Sequence, residues 1–185
     1  MAAHSLTSLI ESVFFEKKTS AASFLDIKSA FDSAWHPAII AALGKRLCLP
    51  YLIKTVLSFL SNRKALISIN GGCLKQSIHI GCPQGGVLSP FLWNLLAHDL
   101  LRTTFPFPIK FVVYADNITV ATIHKDAALA TRNLQAVCHF LEKWLAVWNL
   151  FLNAAKTVFI LFSRKRLPHP NLFIFLNGVK IFPTQ

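Results

Sequence analysis

Two β-rich runs separated by only a few residues constrain the fold of this chain more than any other feature. They cover residues 109–115 and 119–123, and both are rich in β-branched and aromatic side chains. A connection this short predicts that the two runs pair as a tight antiparallel hairpin. Asp116 then falls at the tip of that hairpin.

Helical and strand patterns follow one another along the rest of the chain. Helical periodicity covers residues 4–16, 38–47, 50–60, 87–102 and 127–148, and strand-like runs cover residues 22–27, 65–70, 74–80, 158–162, 172–176 and 179–182. Gly71-Gly72 and Asn177-Gly178 are turn signals that predict two further hairpins. This order predicts one α+β domain over residues 1–185, with an antiparallel sheet backed by helices.

Composition and charge narrow the class of partner. Hydrophobic residues make up 54% of the 185 residues and charged residues 15%, which is typical of a chain that folds. The sequence shows neither an apolar run long enough to span a membrane nor a signal peptide, so we expect an intracellular protein with no membrane partner. The net charge of +11 favours a polyanionic partner, because neutralising phosphates releases counterions.

The four cysteines form no CxxC pair, and they form no ligand pairs in a metal-binding pattern with the seven histidines. A structural zinc site needs such pairs of ligands. We therefore expect all four cysteines to be buried or half-buried thiols.

Two aspartates lie in settings where a carboxylate needs a partner. Asp26 ends the apolar run 21–25, and Asp116 ends the run 111–115. A carboxylate at the end of a buried strand has to be hydrogen-bonded, ion-paired or bound to a metal. If the two strand ends meet at one edge of a sheet, their oxygens form the kind of site that Mg²⁺ prefers. Two solvated turns remain the alternative on spacing alone.

Five segments in order sharpen this interpretation. They are 24–32 (FLDIKSAFD), 81–90 (GCPQGGVLSP), 114–117 (YADN), 152–157 (LNAAKT) and 176–179 (LNGV). They resemble, in turn, the first four palm motifs and the start of the primer-grip hairpin in reverse transcriptases of non-LTR (LINE-like) retrotransposons. The resemblance covers most of the chain and implies a polymerase palm, with the fingers incomplete and the thumb absent.

The resemblance also implies a reaction, the RNA-directed synthesis of DNA by nucleotidyl transfer to a primer 3′-hydroxyl. Two Mg²⁺ ions, which Mn²⁺ can replace, would be held by Asp26, Asp116, the backbone carbonyl of Ile27 and, weakly, Asn117. Lys156 would act as a catalytic proton donor to pyrophosphate, although an ordinary surface lysine is the alternative. The partners would be an RNA template, a DNA primer and deoxynucleotides, with the missing fingers, thumb and endonuclease on a longer parent polyprotein.

Nucleic-acid and nucleotide contacts follow from the same resemblance. Phe31, five positions after Asp26, would lie under the nucleotide sugar and exclude a 2′-hydroxyl, unless it is only a core aromatic. The other nucleotide contacts would be Gln84 and Gly85, and those to template and primer Pro83, Gly86, Tyr114, Asn177 and Gly178. Asp32 also matches a family position, but we expect a structural role for it.

Asn117 departs from the family pattern, which usually has a second aspartate at this position. Asparagine offers a neutral oxygen that can ligate Mg²⁺ without offsetting its charge, so Asn117→Asp should tighten metal binding. The departure leaves open a catalytically impaired relic that at most binds nucleic acid. A small RNA-binding module of the RNA-recognition-motif type fits less well, because the chain has no glycine-aromatic motif led by lysine or arginine on a strand.

Overall fold

The computed structural model describes residues 2–69, 72–164 and 171–184. Its helices are α1 (Ala2–Phe15), α2 (His36–Lys45), α3 (Pro50–Leu60), α4 (Leu88–Leu101) and α5 (Ala127–Val147), with a 3₁₀ turn at Ala154–Lys156. Its strands are β1 (Thr19–Asp26), β2 (Arg63–Ile69), β3 (Gly72–Ile78), β4 (Ile109–Tyr114), β5 (Asn117–His124), β6 (Val158–Ser163), β7 (Ile174–Leu176), β8 (Val179–Ile181) and β9 (Pro183–Thr184).

The chain divides into two compact units. The first unit combines Met1–Lys28 with Leu101–Gln185, and the second is Ser29–Leu100. The expectation of a single domain over the whole chain stays a prediction.

A five-stranded sheet in the order β4-β5-β1-β6-β9 forms the centre of the first unit. β1 pairs antiparallel with both β5 and β6, and β4 pairs antiparallel with β5, whereas the short β9 runs parallel to β6. The first five residues of β1 are all buried. Central strands with neighbours on both sides have a fixed register, so the residues at the end of β1 are held in a defined place.

Helix α5 packs on β1, β5 and β7. It begins at Asp126, whose side chain accepts a hydrogen bond from the Ala128 N–H (3.0 Å), as an N-cap residue does. Its buried apolar stripe is Leu134, Val137, Leu141 and Leu145. Next to this stripe, the two-stranded β7–β8 sheet turns at Asn177-Gly178, and both residues have positive φ (49° and 76°).

The second unit contains α2, α3, the β2–β3 hairpin and most of α4. Proline lies in the first turn of both α2 and α3, where its missing N–H removes no helical hydrogen bond. The predicted turn of the β2–β3 hairpin, residues 70–71, lies outside the described residues. β2 and β3 pair along seven residues each, and most of their side chains are exposed.

The predicted α+β class, with a mainly antiparallel sheet and backing helices, is confirmed. The observed helices and strands begin and end within a few residues of the predicted positions. For example, β1 begins three residues earlier than predicted, because the short polar side chains of Thr19 and Ser20 are buried within the sheet. The expectation for the cysteines was wrong in one case, since Cys73 lies on the exposed β3. No described helix is both long and apolar enough to cross a membrane.

Candidate active site

Asp26 and Asp116 lie at the ends of neighbouring strands in the first unit. Asp26 is the last residue of β1 and is the register partner of Asn117, the first residue of β5. Tyr114 pairs with Asn117 from the other side, so Ala115 and Asp116 form the two-residue turn between β4 and β5. The Ile27 N–H donates a hydrogen bond to the Asp116 carbonyl (3.3 Å). We call Asp26, Asp116 and Asn117 the acidic edge of the sheet.

The Asp26 carboxylate is mostly buried and has two polar neighbours on one oxygen. Its side chain is 18% exposed, and its Oδ2 lies 3.8 Å from the Lys156 ammonium. Asn153 Nδ2 donates to the same oxygen (3.2 Å), and the Asn153 backbone N–H donates to the Asp26 carbonyl (2.8 Å). These contacts fix the carboxylate at the strand end, as a buried acid requires.

Asn153 is therefore a site residue to which the sequence reasoning assigned no role. It belongs to the segment LNAAKT, and its position three residues before Lys156 was the available signal. The 3₁₀ turn Ala154–Lys156 follows Asn153 and carries the lysine back toward the strand end, where the lysine side chain is 70% exposed.

The Asp116 side chain is partly exposed, and that of Asn117 is exposed. Asn117 Nδ2 donates to Asp116 Oδ1 (3.3 Å). An asparagine thus places an N–H donor against the carboxylate where an aspartate would place a second negative charge. The difference lowers the negative charge available to a cation at this edge.

The donor set at the acidic edge is small. Within residues 2–69, 72–164 and 171–184, no group of three or more histidine, cysteine, aspartate or glutamate side chains is positioned to hold a metal ion. Two carboxylates and one amide oxygen remain, all of them the hard oxygen ligands that Mg²⁺ takes with waters and phosphates. Ile27 follows Asp26, donates its N–H to the Asp116 carbonyl and forms a β-bridge with Leu152, so its backbone is fixed there. The role of its carbonyl stays a prediction.

The PQG loop, residues 81–86, belongs to the second unit and is tied to residues 31–34. The Gly81 N–H donates to the Ala34 carbonyl (2.8 Å), and the Cys82 N–H donates to the Phe31 carbonyl (2.7 Å). Gly81 has φ +81°, and a Cβ there would lie 2.5 Å from the Asp32 carbonyl oxygen. Only glycine fits such a close approach of two backbones in this conformation.

Side chains of the PQG loop also have defined partners within the second unit. Gln84 Nε2 donates to both oxygens of the Asp32 carboxylate (2.8 and 2.9 Å). The Pro83 carbonyl accepts from the Ser89 hydroxyl (2.6 Å) and from the Gly86 N–H (3.1 Å). Gly85 also has positive φ but faces open space. Burial raises the pKa of the Cys82 thiol, and the nearby Arg63 guanidinium lowers it in part.

The remaining residues predicted from the sequence also belong to one or the other of the two units. Phe31 is half-buried in the second unit, with its ring centroid 6.0 Å from that of Trp93. Tyr114 is exposed at the end of β4, and Asn177-Gly178 form the β7–β8 turn. Within the first unit, the structure brings Asp26, Asp116, Asn117 and Lys156 to the same strand ends, while the roles of all these residues stay predictions.

A central strand and an adjacent hairpin, both ending in aspartates and backed by helices, are the architecture of a polymerase palm. The chain belongs to the reverse transcriptase (RNA-dependent DNA polymerase) family, whose sequence profile matches residues 2–178. The resemblance to reverse transcriptases of non-LTR retrotransposons is confirmed at the level of family.

Curated relatives agree with this assignment. The chain is 35% identical over 173 residues to the RNA-directed DNA polymerase from mobile element jockey of Drosophila melanogaster, covering 88% of this chain and 18% of the relative. It is 30% identical over 182 residues to the probable RNA-directed DNA polymerase from transposon BS of the same species, covering 95% and 20%. The chain thus spans about a fifth of the length of these relatives.

Solved structures support the fold. Telomerase from Candida albicans in complex with a fragment of telomeric RNA superimposes with a TM-score of 0.65 at 13% identity, covering 96% of this chain and 33% of that one. Apo telomerase from Candida tropicalis gives 0.65 at 14% identity, covering 97% and 33%. At this identity the likeness concerns the fold alone.

Proposed function

We propose that this chain is the palm core of an RNA-directed DNA polymerase of the non-LTR retrotransposon type, which adds deoxynucleotides to a primer 3′-hydroxyl. One observation carries the proposal: the sheet register brings Asp26 opposite Asn117, and the Ile27 N–H bonds to the Asp116 carbonyl. Two aspartates from distant parts of the chain therefore share one edge of a rigid sheet.

A divalent cation fits the ligands at this edge. Asp26 and Asp116 would hold Mg²⁺ or Mn²⁺, with the Ile27 carbonyl and the Asn117 amide oxygen as weaker ligands, because hard cations prefer oxygen. A bound pair of such ions supplies charge stabilisation to the attacking and leaving oxygens of an in-line displacement. Of the three side-chain ligands, only Asn117 departs from the acid expected in the family motif.

Two neighbouring side chains orient the Asp26 carboxylate at this edge. Asn153 and Lys156 both lie against Oδ2 of Asp26, at 3.2 Å and 3.8 Å, so the carboxylate keeps one orientation. Lys156 is mostly exposed and can reach a phosphate group bound next to Asp26. Its ammonium would offset negative charge on the leaving pyrophosphate and can donate a proton to it.

The second unit would supply contacts to the nucleotide and the template. The PQG loop is fixed by backbone hydrogen bonds, and Gln84 is oriented by Asp32. We assign Phe31, Gln84 and Gly85 to the incoming nucleotide, and Pro83 and Gly86 to the template and primer. The net charge of +11 supports a nucleic-acid partner.

A catalytically impaired relic is a second candidate, and Asn117 is the observation that favours it. Its amide donates to Asp116 Oδ1, which occupies an oxygen that a metal ion would otherwise use. Loss of one carboxylate weakens the affinity for a cation, because each ionised ligand contributes directly to the attraction. Such a chain would bind nucleic acid without extending a primer.

Primer extension on an RNA template with Mn²⁺ or Mg²⁺ separates these candidates. The native chain would be compared with Asp116→Asn, which keeps the shape of the side chain, and with Asn117→Asp. Glu11→Gln, an exposed carboxylate of α1, is the matched control for the loss of one acid.

The proposal expects extension that falls at least about 100-fold in Asp116→Asn and stays unchanged in Glu11→Gln, because metal-dependent charge stabilisation is worth several kcal/mol. Extension that appears only in Asn117→Asp would identify the impaired relic. Extension that survives Asp116→Asn in full would contradict the assignment of the acidic edge.

A further inference from the structure

Two side chains of α5, Gln135 and Glu142, form hydrogen bonds with the backbone of β7 and of the turn that follows it. The Phe175 N–H donates to Gln135 Oε1 (2.5 Å), and Gln135 Nε2 donates to the Phe175 carbonyl (3.0 Å). The Asn177 N–H donates to Glu142 Oε1. Gln135 and Glu142 are seven residues apart, two helical turns, and therefore lie on one face of α5.

At Phe175, a side chain makes the two backbone hydrogen bonds that a neighbouring strand would otherwise make. A glutamine amide carries one donor and one acceptor group, as a peptide unit does, and Gln135 uses both on a single residue. Phe175 is the middle residue of β7, and Asn177, with φ 49°, is the first residue of the turn that follows it. Gln135 thus takes the place of a ladder partner at β7, and Glu142 holds the first residue of the turn. Both satisfy backbone groups that a free strand edge would expose.

The bonds continue from the β7–β8 turn to the acidic edge. Asn177 Nδ2 donates to the Leu152 carbonyl (2.7 Å), and Leu152 is bridged to Ile27. The next residue, Asn153, bonds both to the carbonyl and to the carboxylate of Asp26. One connected path therefore runs from α5 through the turn to the residue that holds the carboxylate of Asp26.

We propose that Gln135 and Glu142 are positioning residues, which hold the Asn177-Gly178 turn at a fixed place relative to Asp26. The inference rests on the proposed function and on the expectation, from the sequence, that Asn177 and Gly178 contact the template and primer. We call the hydrogen bonds made by Gln135, by Glu142 and by the Asn177 side chain to Leu152 the latch. Because the N–H and the side chain of Asn177 both take part in it, Gly178 is left to meet the nucleic acid.

His139 adds a further contact, because its Nδ1 lies 3.6 Å from Glu142 Oε2. The two oxygens of Glu142 are therefore divided between the turn and the helix: Oε1 accepts from Asn177 and Oε2 faces His139. A carboxylate oriented from both sides loses little freedom when it accepts the N–H of the turn. This arrangement favours Glu142 as the main anchor of the latch.

Amide hydrogen exchange, measured by NMR on the chain as it stands, tests the latch without any need for activity. Gln135→Ala should speed exchange at Phe175, and Glu142→Ala should speed exchange at Asn177, each about tenfold, because each variant removes a hydrogen bond that protects the amide. Glu142→Gln keeps an acceptor oxygen and should leave the Asn177 exchange rate within about twofold. Lys143→Ala, an exposed neighbour on α5, is the control for the helix.

Fluorescence anisotropy with a labelled primer–template tests the positioning role, because a merely structural contact would not change affinity. Glu142→Ala should raise the Kd roughly threefold to tenfold, and Glu142→Gln should restore the native value. Unchanged exchange in both alanine variants would overturn the latch. Faster exchange with an unchanged Kd would overturn the positioning role. If the native chain itself fails to bind the primer–template, the proposed function fails, and the exchange rates still decide whether the latch exists.

Discussion

Antiparallel pairing forms the β2–β3 hairpin of the second unit and most of the five-stranded sheet of the first, but only the sheet has buried strand residues. β1 has a neighbour on each side, and α5 packs on it. In the hairpin, Leu66, Ile69 and Leu74 are each more than 60% exposed. The acids that we assign to catalysis lie at the ends of β1 and of the adjoining hairpin in the buried sheet.

The difference shows what a site made of converging carboxylates needs from its surroundings. Catalytic groups must be held within a fraction of an ångström, and this accuracy comes from packed, fully paired strands. An isolated two-stranded hairpin is at best marginally stable in water, so it cannot supply such a frame. Substitutions in the two regions should therefore differ in cost by several kcal/mol.

The largest expected effect is on the sheet. Phe159 on β6 is fully buried, so Phe159→Ala should lower the free energy of unfolding by about 3–5 kcal/mol through the cavity it leaves. Leu66→Ala on the exposed hairpin should change it by no more than about 0.5 kcal/mol. Urea unfolding followed by circular dichroism measures both. Equal losses in the two variants would show that the hairpin is as closely packed as the sheet.

A second test concerns Gly81 of the second unit, where the neighbouring backbone leaves no room for a side chain. Gly81→Ala should cost about 2–4 kcal/mol, because it combines a positive φ with a Cβ placed 2.5 Å from the Asp32 carbonyl oxygen. Gly85 has the same φ of +81° but open space around it, so Gly85→Ala should cost only about 1 kcal/mol. The same unfolding measurement applies, and equal costs would refute the close approach at Gly81.

The smallest expected effect is a difference in thiol reactivity between two cysteines, Cys138 on the helix that packs on the sheet and Cys73 on the hairpin. Burial raises the pKa of Cys138 on α5 to about 12, with a smaller contribution from the Glu142 carboxylate, whereas Cys73 on β3 is exposed. At pH 8 a thiol reagent should therefore modify Cys73 in the native protein and leave Cys138 unmodified until unfolding. Fast modification of Cys138 in the native state would show that α5 is not packed against the sheet.

The same shift gives a pH dependence of stability. Between about pH 9, the ordinary value, and pH 12 the folded chain keeps the Cys138 proton that the unfolded chain releases. Stability should therefore fall as the pH rises through this window, and Cys138→Ala should remove that part of the slope. An identical slope in native and variant chains would contradict the assigned burial.

Most of the fold could be predicted from local sequence. The short connection between β4 and β5 permits only a hairpin, and the prolines at positions 37 and 50 mark where α2 and α3 begin. The parallel pairing of β9 with β6 and the division into two units could not be predicted in this way. They depend on contacts between distant residues, which leave no periodic signal in the chain.

The sequence motifs named candidate residues for the site, but they could not show which other side chains contact those residues. The motifs pointed to Asp26, Asp116 and Lys156, and in the structure the Asp26 carboxylate lies 3.8 Å from the Lys156 ammonium and at the same sheet edge as Asp116. Their roles stay predictions. Asn153 was marked only by its place in the segment LNAAKT, and Gln135 and Glu142 carried no signal, because each acts by a hydrogen bond to a residue far away in the sequence. Such partners become visible only once the fold has been established.

Titration with Mn²⁺, followed by electron paramagnetic resonance of the free ion, tests the acidic edge most directly. We expect the native chain to bind Mn²⁺ weakly, Asp116→Asn to weaken binding at least about tenfold, and Asn117→Asp to tighten it by a similar factor, because each change removes or adds one ionised oxygen ligand. Glu11→Gln should not alter the binding. Equal Mn²⁺ affinity in all four proteins would contradict the claim that Asp26, Asp116 and Asn117 form a metal site.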